Sequence, residues 1–175
     1  MKKRWFTLIE MMIVIVIVAI LLALSLWISG NRIQTLKNKS VQEQFTYTYN
    51  SLFSRNLLTN YYDGNLYDEM VIHLSGGENR FLYSYRNNWE EIFSGYDDVQ
   101  WGYYMIDDIY FSWDSVHKNP SADIIFQPYV LGCELHEKNS TWNILKIKLI
   151  LNDNEDYCIK INSDLCKLEK ESCTE

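Results

Sequence analysis

The chain has 175 residues, and an apolar N-terminal stretch takes roughly the first 30, so about 145 remain, enough for one ordinary domain and not for a second large one. Formal net charge is −7, and setting aside Lys2, Lys3 and Arg4 leaves 13 Lys and Arg against 23 Asp and Glu. That balance repels phosphate backbones unless basic side chains are gathered in one place.

Residues 1–5 form a short basic leader. Phe6 to Trp27 is a run of 22 residues in which Glu10 is the only charge. At about 1.5 Å per residue it spans roughly 33 Å, enough to cross a bilayer core. The leader predicts a cytoplasmic N-terminus and places everything beyond Gly30 on the outer side of the membrane. A secretory signal peptide fits less well, because this core is too long and no Ala-x-Ala-like site follows it. A carboxylate one turn into such a helix costs a few kcal/mol unless it is paired or held at the interface, which singles out Glu10.

Phe6-Thr7-Leu8-Ile9-Glu10, followed by the β-branched and Leu-rich run from Met11 to Leu21, closely resembles the N-terminus of bacterial type IV pilins and type II secretion pseudopilins. The resemblance covers residues 1 to 30. It implies cleavage between Trp5 and Phe6 by a prepilin peptidase and N-methylation of the new terminus at Phe6. It also implies a filament in which Glu10 pairs with the terminal amine of a neighbouring subunit, neutralising two charges in an apolar core. Residues 8–26 would supply the helix packing. One position departs from the family pattern, since Trp5 stands where Gly is usual, and an uncleaved chain would leave Glu10 without that amine. The partners implied are other pilin or pseudopilin subunits, the peptidase, an inner-membrane assembly platform and membrane lipid.

Residues 31–62 carry Ile33, Leu36, Val41, Phe45, Tyr49, Leu52, Phe53 and Leu57, most of them three or four apart, which predicts an amphipathic helix. No proline falls between residues 6 and 60, so it is expected to continue the anchor, with Gly30 as a place for a kink. From residue 63 to 175 the texture changes to short runs of Val, Ile, Tyr, Phe and Trp between turn residues, a β-rich head. Two hairpins stand out: Met70–Leu74 with Arg80–Tyr85 across Gly76-Gly77, and Trp142–Leu151 with Tyr157–Asn162. In the second, Leu145, Ile147, Leu149 and Leu151 share one parity and should face the core. The stretch Ile124–Gly132, this hairpin and Ser163–Leu168 loosely resemble the C-terminal half of GspH/FimT-type pseudopilins, where a final hairpin closes a β-rich head. The expected fold is α+β and pilin-like, a long N-terminal helix packed on an antiparallel head.

Cys133, Cys158, Cys166 and Cys173 lie in the last 43 residues without CxxC spacing, which points to disulfides rather than zinc. Cys158 with Cys166, or Cys133 with Cys173, is the favoured pairing. His73, His117 and His136 form no ligand pair and read as ordinary strand and loop residues. With no GxSxG elbow or phosphate-binding glycine loop, nothing nominates a catalytic centre, and no enzyme is expected. Asp153, Glu155 and Asp156 make an oxygen-rich turn of the kind that can hold calcium, although a solvated hairpin tip explains it more simply. No cofactor is expected. The aromatics from Trp89 to Trp113, including Trp101, Tyr103, Tyr104 and Tyr110, suit either a binding face or, more cheaply, core packing. Lys167-Leu168-Glu169-Lys170 is the one basic cluster and is diluted by Glu, which disfavours DNA. The sequon Asn139-Ser140-Thr141 is incidental in a bacterial-looking chain.

The function expected is that of a minor pilin or pseudopilin, anchored in the bacterial cytoplasmic membrane and assembling into a filament for secretion, adhesion or DNA uptake. The alternative is an uncleaved, N-anchored module that binds a glycan or protein.

Overall fold

The structure, a computed structural model, describes residues 8–98, 104–111, 117–138, 140–151 and 155–173, with the side chains of 26–31, 97–98 and 117–119 set aside. The chain divides into two compact units, Met1–Lys37 and Asn38–Glu175.

Helix α1 runs from Leu8 to Leu58, 51 residues unbroken at Gly30. Glu10 in its first turn and Arg55 in its last are each placed on the favourable side of the helix dipole. In the first unit, Leu8–Ser25 is long and apolar enough to cross a membrane, and none of it is buried by the protein. Ile33 and Leu36 are exposed as well.

The helix acquires a buried face only at Asn38, and from there Asn38, Val41, Phe45, Tyr49, Leu52 and Asn56 recur at steps of three or four, all 4% exposed or less. Helix formation stops at Leu58 rather than continuing to 62. Tyr61–Tyr62 (β1) and Asn65–Leu66 (β2) instead form a small hairpin across Asp63-Gly64, both at positive φ. An Asp-Gly pair favours that two-residue turn, a signal that outweighs the helical spacing there.

The rest of the head is two antiparallel sheets. The first orders Ser140–Trp142 (β10), Glu134–Glu137 (β9), Ser121–Phe126 (β8), Glu69–Ser75 (β3), Arg80–Asn87 (β4) and Glu90–Asp98 (β5). The second orders Leu168–Glu171 (β13), Asp156–Asn162 (β12), Ile144–Leu151 (β11), Tyr104–Phe111 (β6) and His117–Asn119 (β7). Both expected hairpins form, as β3 with β4 and β11 with β12. Leu145, Ile147, Leu149 and Leu151 are buried, as their parity requires. The β3–β4 turn ties the two sheets together: the Gly77 N–H donates to the Ile106 carbonyl (2.8 Å) and the Ile106 N–H to the Glu78 carbonyl (2.9 Å). On β6 the register shifts opposite Lys148/Leu149, so Ile106 and Ile109, three apart, both reach the core. The residues at that shift also find partners, as Lys148 bridges Asp107 and Asp156, each at 3.3 Å. These carboxylates raise the affinity of the Lys148 amine for its proton.

Helix and sheets meet in one aromatic core. Phe45 packs on Phe81 of β4 and Tyr104 of β6, and Tyr49 and Phe53 pack on Phe126 of β8. At the helix C-terminus, Tyr62, Tyr67, Tyr83, Tyr85 and Phe93 form a second group of rings. Arg55 lies over the Tyr62 ring, 5.9 Å from its centroid.

The cysteines pair as Cys133–Cys166 and Cys158–Cys173, with Cα separations of 5.7 and 5.3 Å. This corrects both expected pairings. Strand β13 folds back beside β12 with Glu171 opposite Cys158, which returns Cys173 to Cys158. Cys166 lies in the intervening turn and is fully buried, beside the segment that carries Cys133. That segment approaches so closely that a Cβ on Gly132, which has φ +103°, would lie 2.9 Å from the Ser163 carbonyl oxygen.

Replacing Phe45 by Ala is expected to destabilise the head by about 3–5 kcal/mol, whereas Leu36→Ala, on the exposed stretch, should stay within about 0.5 kcal/mol. Denaturant unfolding of the detergent-solubilised chain distinguishes them. Burial raises the pKa of Tyr49 and of Tyr157, and it pushes that of Tyr67 up to about 12. The unfolded chain releases these protons near pH 10. Stability is therefore expected to hold below pH 10 and to fall as pH rises toward 12, since only the unfolded state ionises in that window. Unfolding followed by circular dichroism against pH checks this.

Candidate functional site

Of the residues that the sequence assigns to processing and assembly, Trp5 and Phe6 lie outside the described residues. Glu10 is described, in the first turn of α1 and exposed. Around it Leu8, Ile9, Met11, Met12, Ile13, Val14 and the large apolar residues that follow to Leu24 each expose about half of their surface or more. An apolar surface that continuous is stable only against hydrocarbon or other apolar helices. A carboxylate within it is tolerated only beside a cation, a donor or the interface. The segment Leu8–Ser25 is thus long and apolar enough to cross a membrane and carries one charged residue, Glu10.

The head holds this element's second half at both ends and in the middle. Asn38 Nδ2 donates to the Glu155 carboxylate, Tyr49 Oη to the Cys166 carbonyl (2.8 Å) and Asn56 Nδ2 to the Gln127 carbonyl (2.9 Å). Periodicity flagged Tyr49 only as apolar and missed both asparagines, although Asn at positions continuing an apolar stripe is the signal that could have found them.

One constellation was invisible to sequence motifs. On three neighbouring strands, Asp123 Oδ1 lies 2.8 Å from His73 Nδ1, and His73 Nε2 lies 2.9 Å from Ser84 Oγ. That is the residue order of a nucleophilic triad. Its surroundings deny it the remaining parts. Ser84 is fully buried and lies mid-strand, opposite Val71 on one side and Ser94 on the other. The backbone around it is thus committed to sheet ladders, leaving no paired N–H groups aimed at an oxyanion. The arrangement instead pairs polar groups with one another along a row that runs in register through Thr141, His136, Asp123 and His73. His136, opposite Asp123 in register, is likewise held by Glu134 at 2.9 Å. His117 lies on β7.

Asp153 lies outside the described residues, Glu155 accepts from Asn38, and Asp156 pairs with Lys148. Among the described residues no group of three or more His, Cys, Asp or Glu is arranged to hold a metal. Trp101, Tyr103 and Trp113 also fall outside the described residues. Tyr104 is core, and the Tyr110 hydroxyl donates to Asp108. Trp89 is 80% exposed. Asn139 is not described, while Ser140 and Thr141 belong to β10. Lys167 and Lys170 flank Glu169, and the Lys170 amine sits over the Tyr157 ring.

No family model, no curated protein and no solved structure matches the chain.

A fluorophosphonate probe, which needs an activated serine and an oxyanion hole, is expected to leave Ser84 unlabelled in intact-mass analysis. Ser84→Ala should lower stability by about 1 kcal/mol, by removing one hydrogen bond from a partly exposed His73, read from the denaturation midpoint.

Proposed function

We propose that the chain is a minor pilin or pseudopilin, anchored by α1 in a bacterial cytoplasmic membrane and recruited into a filament of related subunits. The observation that carries this reading is the lone carboxylate of Glu10 within an unburied apolar helix, preceded by a basic leader and Phe6. In a filament the apolar face packs against the same face of other subunits, and Glu10 meets the amine of a processed Phe6. There the two opposite charges neutralise each other within an apolar core. Two disulfides support a head that matures outside the reducing cytoplasm. The long helix joined to an antiparallel head suits the pilin architecture.

A second reading rests on Trp5, whose indole stands where the family's peptidase accepts Gly. Under it the chain stays uncleaved as a membrane-held module, and its head binds a glycan or protein.

Mass mapping of the N-terminal peptide from native membranes separates the two: the filament reading expects N-methylated Phe6, and the module reading expects the leader retained. Glu10→Ala is expected to abolish incorporation into sheared filaments while leaving membrane insertion intact. Normal incorporation of that variant would sink the proposal.

A further inference from the structure

The two-residue loop between β4 and β5, Asn88-Trp89, has φ values of 51° and 68°. A turn with both residues in the left-handed region ordinarily takes Gly at the second position, because a side chain there is strained. Here the second residue is Trp, and its side chain is 80% exposed rather than packed. Neither strain nor exposure of an indole stabilises the fold, and a strained residue kept against that cost is a pointer to a binding role. The loop is also held firmly: the Asn88 N–H donates to Asp68 Oδ2 (2.9 Å) and Asn87 Nδ2 to the Leu66 carbonyl (3.1 Å). The indole is presented by a fixed platform.

Strand β5 begins at the next residue. It is nine residues long and forms one end of the six-stranded sheet, and among the described residues no strand pairs with its outer side. Its sequence places Glu90 and Glu91 at one end, Asp97 and Asp98 at the other, and no basic residue between. Only Arg86 and Arg80 of β4 stand opposite, across from Glu91 and Asp98, so the strand pair stays acidic. The two acidic ends are about 20 Å apart. A second copy of the chain is a poor occupant, because antiparallel pairing sets glutamates against aspartates and parallel pairing sets like residues side by side.

We propose that β5 is a docking edge for an extended, basic segment of a partner protein. The segment adds as a strand, with cationic residues at both ends and one of them stacked on Trp89. Ladder hydrogen bonds supply affinity, and the spaced charges and the indole supply selectivity. This inference is independent of how α1 is processed.

The test uses the full chain in zwitterionic detergent and a fluorescein-labelled nine-residue peptide of alternating valine and threonine with two lysines at each end. The peptide is expected to bind saturably, to weaken with added salt, and to slow amide exchange across residues 90–98. The double variant Glu90→Lys/Glu91→Lys should weaken it about tenfold and improve binding of the same peptide ended with glutamates. Trp89→Gly should raise the melting temperature yet weaken binding several-fold, a combination that a purely structural role cannot produce. Equal binding of a proline-interrupted peptide would overturn the proposal, as would unchanged exchange in β5, indifference to charge reversal, or β5 protection that arises from dimerisation of the chain itself.

Discussion

Everything in the head is organised by one apolar stripe that begins and ends in asparagine. Between Asn38 and Asn56 the helix buries Val41, Phe45, Tyr49 and Leu52 in the head, and Phe45 packs on a strand of each sheet. Apolar burial is non-directional and would tolerate sliding by a turn. The hydrogen bonds from Asn38, Tyr49 and Asn56 do not, because each reaches one acceptor on a different part of the head. Burial sets the strength of the docking, and these three donors set its register.

The same division explains what could be read from the amino-acid order. The helix stripe and the alternation of Leu145 to Leu151 were legible because side-chain period and burial coincide there. The antiparallel hairpins followed from turn residues flanked by apolar runs. Where a single residue changes the phase, sequence reading ran out. The register shift on β6 puts Ile106 and Ile109 on one face, and nothing in the local pattern announces it. The disulfide pairing was missed for a related reason: eight residues of separation suggests proximity, but the chain reverses between Cys158 and Cys166, and it is Cys173 that returns to Cys158.

The polar constellations are long-range, and no linear motif encodes them. Asp123, His73 and Ser84 are 50 and 11 residues apart and meet only because β3 lies between β8 and β4. Their case also shows why a triad of residue types is not a catalytic site, since a flat sheet interior offers no free backbone donors. Glu10 and Trp89 differ in kind, the first a carboxylate set in an apolar run and the second an exposed indole on a turn at positive φ.

The placement of the Tyr49 hydroxyl on the Cys166 carbonyl has a mechanical consequence. Tension applied to the chain before Asn38, along the helix axis, loads the stripe in shear, so its contacts share the force and must fail together. The tyrosine bond passes part of that load into a turn that the Cys133–Cys166 crosslink ties covalently to the neighbouring segment. A head built this way can be hauled by its helix as one piece, whereas the same contacts loaded from the Leu58 end would peel one after another.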